Sequence, residues 1–180
     1  MSTYTAGSEH NFPFGLRELR VVVSSTNKAL GAAQTCQLTE TLVSAELTGD
    51  DAVVATHSYP VKVDGTITGG GMPLAAYALI TGRTISTAGS TPTRTNTLNV
   101  TQGDTFPYFT LYGRAVNDDG TGDTWVVVYK CKLTQGMGGQ FNYGEFRTSD
   151  LAFTAIPDSN NSNKIWAIVT HETLASLPTS

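Results

Sequence analysis

The sequence predicts a mainly β protein: an antiparallel sandwich or small barrel, with one flanking helix at about residues 72–82 and an extended N-terminal arm. Three observations carry that prediction. Short runs of alternating apolar and polar residues recur along the chain, separated by turn-forming clusters. Only one segment has helix-like apolar spacing bounded by start and stop signals. The chain has 180 residues, which suits a single domain with a real core.

Residues 1–14 show no period and end in Phe12-Pro13-Phe14. They read as an arm with an aromatic root, and a frayed terminus is the plainer alternative. A single domain is expected over 15–172, followed by a short tail, 173–180. Leu16–Ser24 alternates and then turns continuously apolar, so a first strand is expected there. Thr26–Gln34 reads as a loop, Thr35–Leu42 as a second strand, and Val43–Asp51 as a loop closed by the Gly49-Asp50 turn signal. Ala52–Tyr59 and Val61–Thr68 are expected strands around Pro60. Proline cannot donate to a ladder, so Pro60 marks an edge or a bend.

In the second of these strands Val61, Val63 and Ile67 alternate with Lys62, Asp64, Thr66 and Thr68, the pattern of one buried face. Gly69-Gly70-Gly71 breaks it. Pro73 suits a first helical position, Gly82 suits a stop, and Leu74, Tyr77, Ala78 and Ile80 can form an apolar stripe. A helix of about ten residues is marginal alone and must pack on a sheet.

Arg83–Thr95 reads as a loop with a short strand at Thr84–Thr87, and Thr97–Thr101 as another short strand. Phe106–Val116 and Trp125–Leu133, joined by the turn-rich NDDGTGD, form the strongest hairpin signal. Tyr143–Ile156 and Lys164–His171 are the last expected strands, separated by a polar loop.

Composition bounds the function. Only 14% of residues are charged, and Thr, Ser, Gly and Asn fill the gap. Such a surface suits burial against copies of the same chain; a Thr-rich secreted β domain is the plainer account. The net charge of −4 and the lack of a basic run argue against tight, sequence-independent binding to phosphates. No apolar run is long enough to cross a membrane, and the N-terminus does not read as a signal peptide. Cys36 and Cys131 are too few for a disulfide scaffold and are expected as buried free thiols.

Motifs with chemistry are weak. Gly69-Gly70-Gly71 before a helix lacks the Lys and hydroxyl of a phosphate loop, and Pro73 removes an N–H. Asp118–Asp123 resembles part of a calcium loop, but Tyr129 stands where the closing Glu belongs, so a hairpin turn is the better reading. His10, His57 and His171 have no partner at metal-ligand spacing. Glu46, Asp50 and Asp51 cluster near a turn, where paired carboxylates could do acid–base work, but nothing nearby marks a cleft. No serine sits in a nucleophile elbow. No enzyme activity and no cofactor or metal is expected.

Several segments, in order along the chain, are similar to the major tail proteins, or tail tube proteins, of long-tailed bacteriophages with non-contractile tails. They are Phe14–Arg20, Ala45–Asp51, the strand from His57 through Val63-Asp64-Gly65 into Gly69–Gly71 and the helix, Phe106–Phe109, Tyr129–Lys132, Gly144–Phe146 and His171–Thr173. The resemblance implies a structural virion protein whose hexameric rings stack head to tail into the tail tube. Inner strands would join around a lumen through which double-stranded DNA passes at genome ejection, without specific binding. It implies as partners other copies of the chain, a tape-measure protein, a tail terminator and tail-tip proteins, with no membrane. The protein would be made in the host cytoplasm and reside in the virion tail.

From it, the arm with Phe12 and Phe14, the loop residues Glu46, Asp50 and Asp51, and Arg83, Arg94 and Glu172 become candidates for subunit or inter-ring contacts. Lys62, Asp64, Thr66, Thr68 and Asn99 become candidates for lining the lumen. The competing reading is a monomeric β-sandwich that binds carbohydrate or another surface, with Tyr108, Tyr112 and Trp125 as its aromatics. A hydrolase is the least supported.

Overall fold

In a computed structural model the described residues are 13–31, 33–49, 52–117, 122–136, 143 and 149–177. Ten strands and one α-helix are assigned among them: β1 Pro13–Val23, β2 Thr26–Ala29, β3 Ala33–Gly49, β4 Ala52–Gly69, α1 Leu74–Thr81, β5 Ile85–Ala88, β6 Thr95–Leu98, β7 Phe109–Asn117, β8 Asp123–Leu133, β9 Ser149–Ala155 and β10 Trp166–His171. Eight strands form one antiparallel sheet in the order β2-β1-β7-β8-β9-β4-β3, with β10 also on β8; β5 and β6 make a separate hairpin. The mainly β, antiparallel expectation with one helix holds.

The sheet folds over at β8. Residues Asp123–Val128 pair with β10, and Cys131–Leu133 pair with β9. Between them Lys130 takes φ 43°, and the register with β7 shifts between Phe109 and Leu111. A residue in the left-handed region inside a strand bends it, as in a β-bulge. The bend lets β1 pack across from β3. Leu19, Val21, Val63, Ile67, Leu111, Val128, Leu151 and Phe153 fill the space between the layers. Phe109 meets Phe153 edge to face at 6.0 Å between centroids. Gly65 is required there: a Cβ on it would lie 2.3 Å from Phe153 Cζ.

Helix α1 is stopped by Gly82 at φ 69°, whose N–H returns to the last turn. Pro73 stands just outside the first turn as the N-cap. Ala76, Tyr77, Ala78, Ile80 and Thr81 are buried, and the helix packs on β1 and β2. Leu74, expected in the apolar stripe, is 38% exposed, because the buried arc is centred one residue later. Thr81 is buried without cost, its hydroxyl donating to the Tyr77 carbonyl at 2.7 Å.

Three segments differ from expectation. Pro13 and Phe14 belong to β1, paired with Asn117 and Val116, so the arm is shorter than 1–14, and residues 1–12 lie outside the described part. Thr26–Ala29 is an edge strand rather than loop; being polar and exposed, it carries no alternation to read. The expected loop at Val43–Asp51 is a continuation of β3 as far as Gly49, paired residue for residue with β4. Pro60 lies beside the register shift at Thr41/Leu42, on a part of β4 that β9 does not reach, which is where a missing N–H is tolerated.

Candidate assembly surfaces

The first surface is the outer face of β3, β4 and β9. Alternation along β4 turns Val63, Gly65, Ile67 and Gly69 inward and Lys62, Asp64, Thr66 and Thr68 outward. Lys62 Nζ lies 2.7 Å from Asp64 Oδ2, and the Thr154 hydroxyl donates to Asp64 Oδ1. The bonds from Lys62 and Thr154 hold the Asp64 carboxyl below its ordinary value. Asp64, Thr66 and Thr154, with Gln37, Thr39 and Gln135, border a shallow cleft of about 540 Å³. The face is polar, rich in hydroxyls and locally charge-balanced.

Asn99 does not join this face. It follows β6 and lines a second cleft with Arg83, Gly103 and Asp104. There Arg83 is committed within its own chain: its side chain is 9% exposed, Nε lies 2.9 Å from Asp104, and the guanidinium stacks 5.6 Å from the Phe106 ring centroid. The Thr101 N–H and then Arg83 hold Asp104 below the usual carboxylate range. Arg94 is exposed in the turn before β6.

The second surface is a ribbon. β9 pairs with β4 only from Val63 to Gly69, so among the described residues the stretch Ala52–Lys62 is held by β3 alone. At ~3.3 Å per residue it projects roughly 30 Å. Every described residue from Leu42 to Thr48 and from Val53 to Pro60 is exposed. Leu47 is 63%, Val53 56% and Val54 66% exposed. His57 and Tyr59 lie side by side, their rings 5.8 Å apart. Glu46 is on this ribbon; Asp50 and Asp51, between the two strands, lie outside the described residues. A two-stranded ribbon with both faces in water is marginally stable. Large apolar groups exposed to this degree on a projecting element suit an interaction site.

The third region fixes the chain's C-terminal part. Asp123 is wholly buried, with Arg114 Nε 2.7 Å away, His171 Nδ1 3.0 Å away, and the Ala175 N–H donating to it at 3.0 Å. Burial pushes the Asp123 carboxyl up, but the Ala175 N–H and the Arg114 guanidinium outweigh it and leave the group below its ordinary value. The segment past Glu172 thus folds back on its own domain, ending with Leu177 at 3% exposure, while Glu172 stays exposed. The sequence placed Asp123 in a turn; it is the first residue of β8 and gains its partners Arg114 and His171 only through strand pairing, which the turn pattern does not encode.

Tyr108, Tyr112 and Trp125 do not form one exposed aromatic platform: Tyr112 is half-buried, and Trp125 stacks on His171 at 4.5 Å. The thiols of Cys36 and Cys131 are both free; burial pushes Cys36 up to about 11 and raises Cys131 further, so neither is a nucleophile near neutrality. No helix among the described residues is long and apolar enough to cross a membrane.

No protein-family model matches the sequence, and no curated protein matches it. Among solved structures, the chain is similar to the anti-feeding prophage cap, the AFP tube terminating cap, seen by cryo-electron microscopy. The TM-score is 0.54 at 11% identity, over 95% of this chain and 100% of that one. At that identity the likeness is one of fold.

Proposed function

We propose that the protein is a structural subunit of a bacteriophage tail, assembling as stacked hexameric rings into the tube through which the genome leaves. The observation that carries this reading is the ribbon of β3 and β4, whose apolar side chains at Leu47, Val53 and Val54 are exposed and have no cover among the described residues. The shared fold with a tube-terminating cap supports it. In this reading the ribbon reaches the adjacent ring, and Lys62, Asp64, Thr66 and Thr68 face the lumen. The Lys62–Asp64 pairing supports that role, since a cation already paired holds passing phosphates weakly. The chain acts without catalysis, and a tape-measure protein, a terminator and tail-tip proteins are its further partners.

A second reading, that the chain itself closes a tube as a cap, is favoured by the identity of the similar structure, all of which the match spans. Negative-stain electron microscopy of the purified protein across concentration separates the two. The tube reading expects hollow tubes that lengthen with concentration. Single rings that never stack would favour the cap. Monomers at every concentration, alone and with preformed tail tips, would overturn both.

A further inference from the structure

We infer that the cavity between β1, β3, β7 and β8 is a binding site for a small neutral molecule with an apolar body and one hydroxyl or carbonyl head, which hydrogen-bonds to Thr124.

The cavity follows from residue size along β7. Leu111, Gly113 and Ala115 alternate onto its inner face. After Leu111, a missing side chain and then a single methyl leave the two layers short of contact. A Cβ added at Gly113 would lie 3.4 Å from Leu19 Cδ1 and 3.7 Å from Leu16 Cδ1, which are ordinary contacts, so packing does not demand a glycine there. Leu16 comes from the stretch of β1 where the register with β7 shifts, and Cys36 and Leu38 close the space from β3. The volume is about 160 Å³, and the wall is apolar but for one group. A dry cavity of this size holds about six to eight non-hydrogen atoms. β1 and β3 share no ladder, so the walls on that side can part without breaking backbone hydrogen bonds.

The exception in the wall is Thr124. It pairs with Ala115 across β7 and β8 and lines the cavity beside Val126 and Val128. The residue is 9% exposed, and its hydroxyl is buried with no hydrogen-bond partner among the described residues. An unpaired buried hydroxyl costs stability, and valine would fill the same shape without it. The hydroxyl can both donate and accept, so it meets either a hydroxyl or a carbonyl. Arg114 touches the rim, but its guanidinium is bound to Asp123 on the opposite face of the strand pair. A charged head would therefore be buried without a counter-charge, and a neutral head fits.

Phenol and toluene, alike in size, test the site on the full-length protein. Binding is read by calorimetry and by the methyl resonances of Leu111, Val126 and Val128, after each variant is shown to melt as a folded protein. Wild type should bind both probes saturably at one site and shift those methyls. Thr124→Val keeps the cavity and removes the hydroxyl. It should weaken phenol relative to toluene by about fivefold, the worth of one hydrogen bond. Ala115→Leu should fill the cavity and abolish binding of both probes, and the milder Gly113→Ala should weaken both. Three results overturn the site: no saturable binding to wild type, a phenol-to-toluene ratio unchanged in Thr124→Val, or binding undiminished in Gly113→Ala and Ala115→Leu. Probes held by the dispersed protein but expelled as it associates would make the occupant a side chain of another copy, and would overturn the small-molecule assignment. Thr124→Val should assemble as wild type does, so failure of the site leaves the tube reading standing.

Discussion

β3 and β4 are one pair of strands in two environments. In the lower half, Val63 and Ile67 are 1% and 3% exposed, β9 supplies a third strand, and Phe153 closes over Gly65. In the upper half the same ladder continues, yet Leu47, Val53 and Val54 are mostly in water. The β3–β4 ladder alone therefore does not distinguish the halves; the third strand and the burial that comes with it do. The lower half gains from removing apolar surface from water, at ~25 cal/mol per Å². The upper half has the apolar side chains but, among the described residues, not the cover.

That contrast can be broken from either side. The largest effect on the isolated chain is expected from Phe153→Ala in the lower half, with a loss of about 3–5 kcal/mol in a urea unfolding curve; a loss below about 1 kcal/mol would show that the core there is loosely packed. Next is Gly65→Ala. Its Cβ would strike the Phe153 ring, and overpacking of this kind costs about 1–3 kcal/mol unless the ring rotates away. A crystal structure of that variant with Phe153 unmoved would contradict the packing described.

In the upper half, Leu47→Ser with Val54→Ser should change unfolding by no more than about 0.5 kcal/mol, because exposed positions contribute little. The same variant should lose assembly in the microscope. Unchanged tubes would mean that the ribbon's apolar groups are not its contacts. The smallest effect belongs to Asp64. Its carboxyl is held low in the folded chain by Lys62 and Thr154, so the unfolded chain binds more protons in the acid range. The stabilisation is present above the unfolded value and is lost as pH falls through the folded one. Asp64→Asn should flatten stability against pH below about 4, slightly, since the pair is exposed to solvent. An unaltered acid limb would show that the pair is not formed in solution.

The sequence made the lower half legible and hid the upper one for the same reason. Alternation at Val61–Thr68 exists because one face of β4 meets a core and the other meets water. Where both faces meet water, as at Val43–Thr48, selection for alternation disappears, and the Gly49-Asp50 signal reads as the end of a loop although β3 runs paired as far as Gly49. β2 was hidden likewise. The helix could be read from Gly69–Gly71, Pro73 and Gly82, because its ends are set by local backbone chemistry. Which side of it is buried was less readable, since α1 is apolar nearly all round and the choice between Leu74 and Ala76 is made by β1 and β2. The clustering of Lys62, Asp64, Thr66 and Thr68 on one face follows from period two alone. The separation of Asn99 from them, and the gathering of Arg114 and His171 around Asp123, depend on which strands become neighbours, which local patterns do not encode.

The change of neighbours along β8 bears on how the molecule comes apart. One edge of this strand is zipped first to β10 and then to β9, on either side of Lys130. Peeling away either neighbour leaves the other still fastened, so the two layers share one splice and neither can be shed as a separate unit. Amide exchange should report this directly: Val126–Val128 and Cys131–Leu133 should exchange together, at the slowest rate and only on global opening, while the ribbon amides near Leu47 and Val54 exchange by local fraying until another copy of the chain covers them.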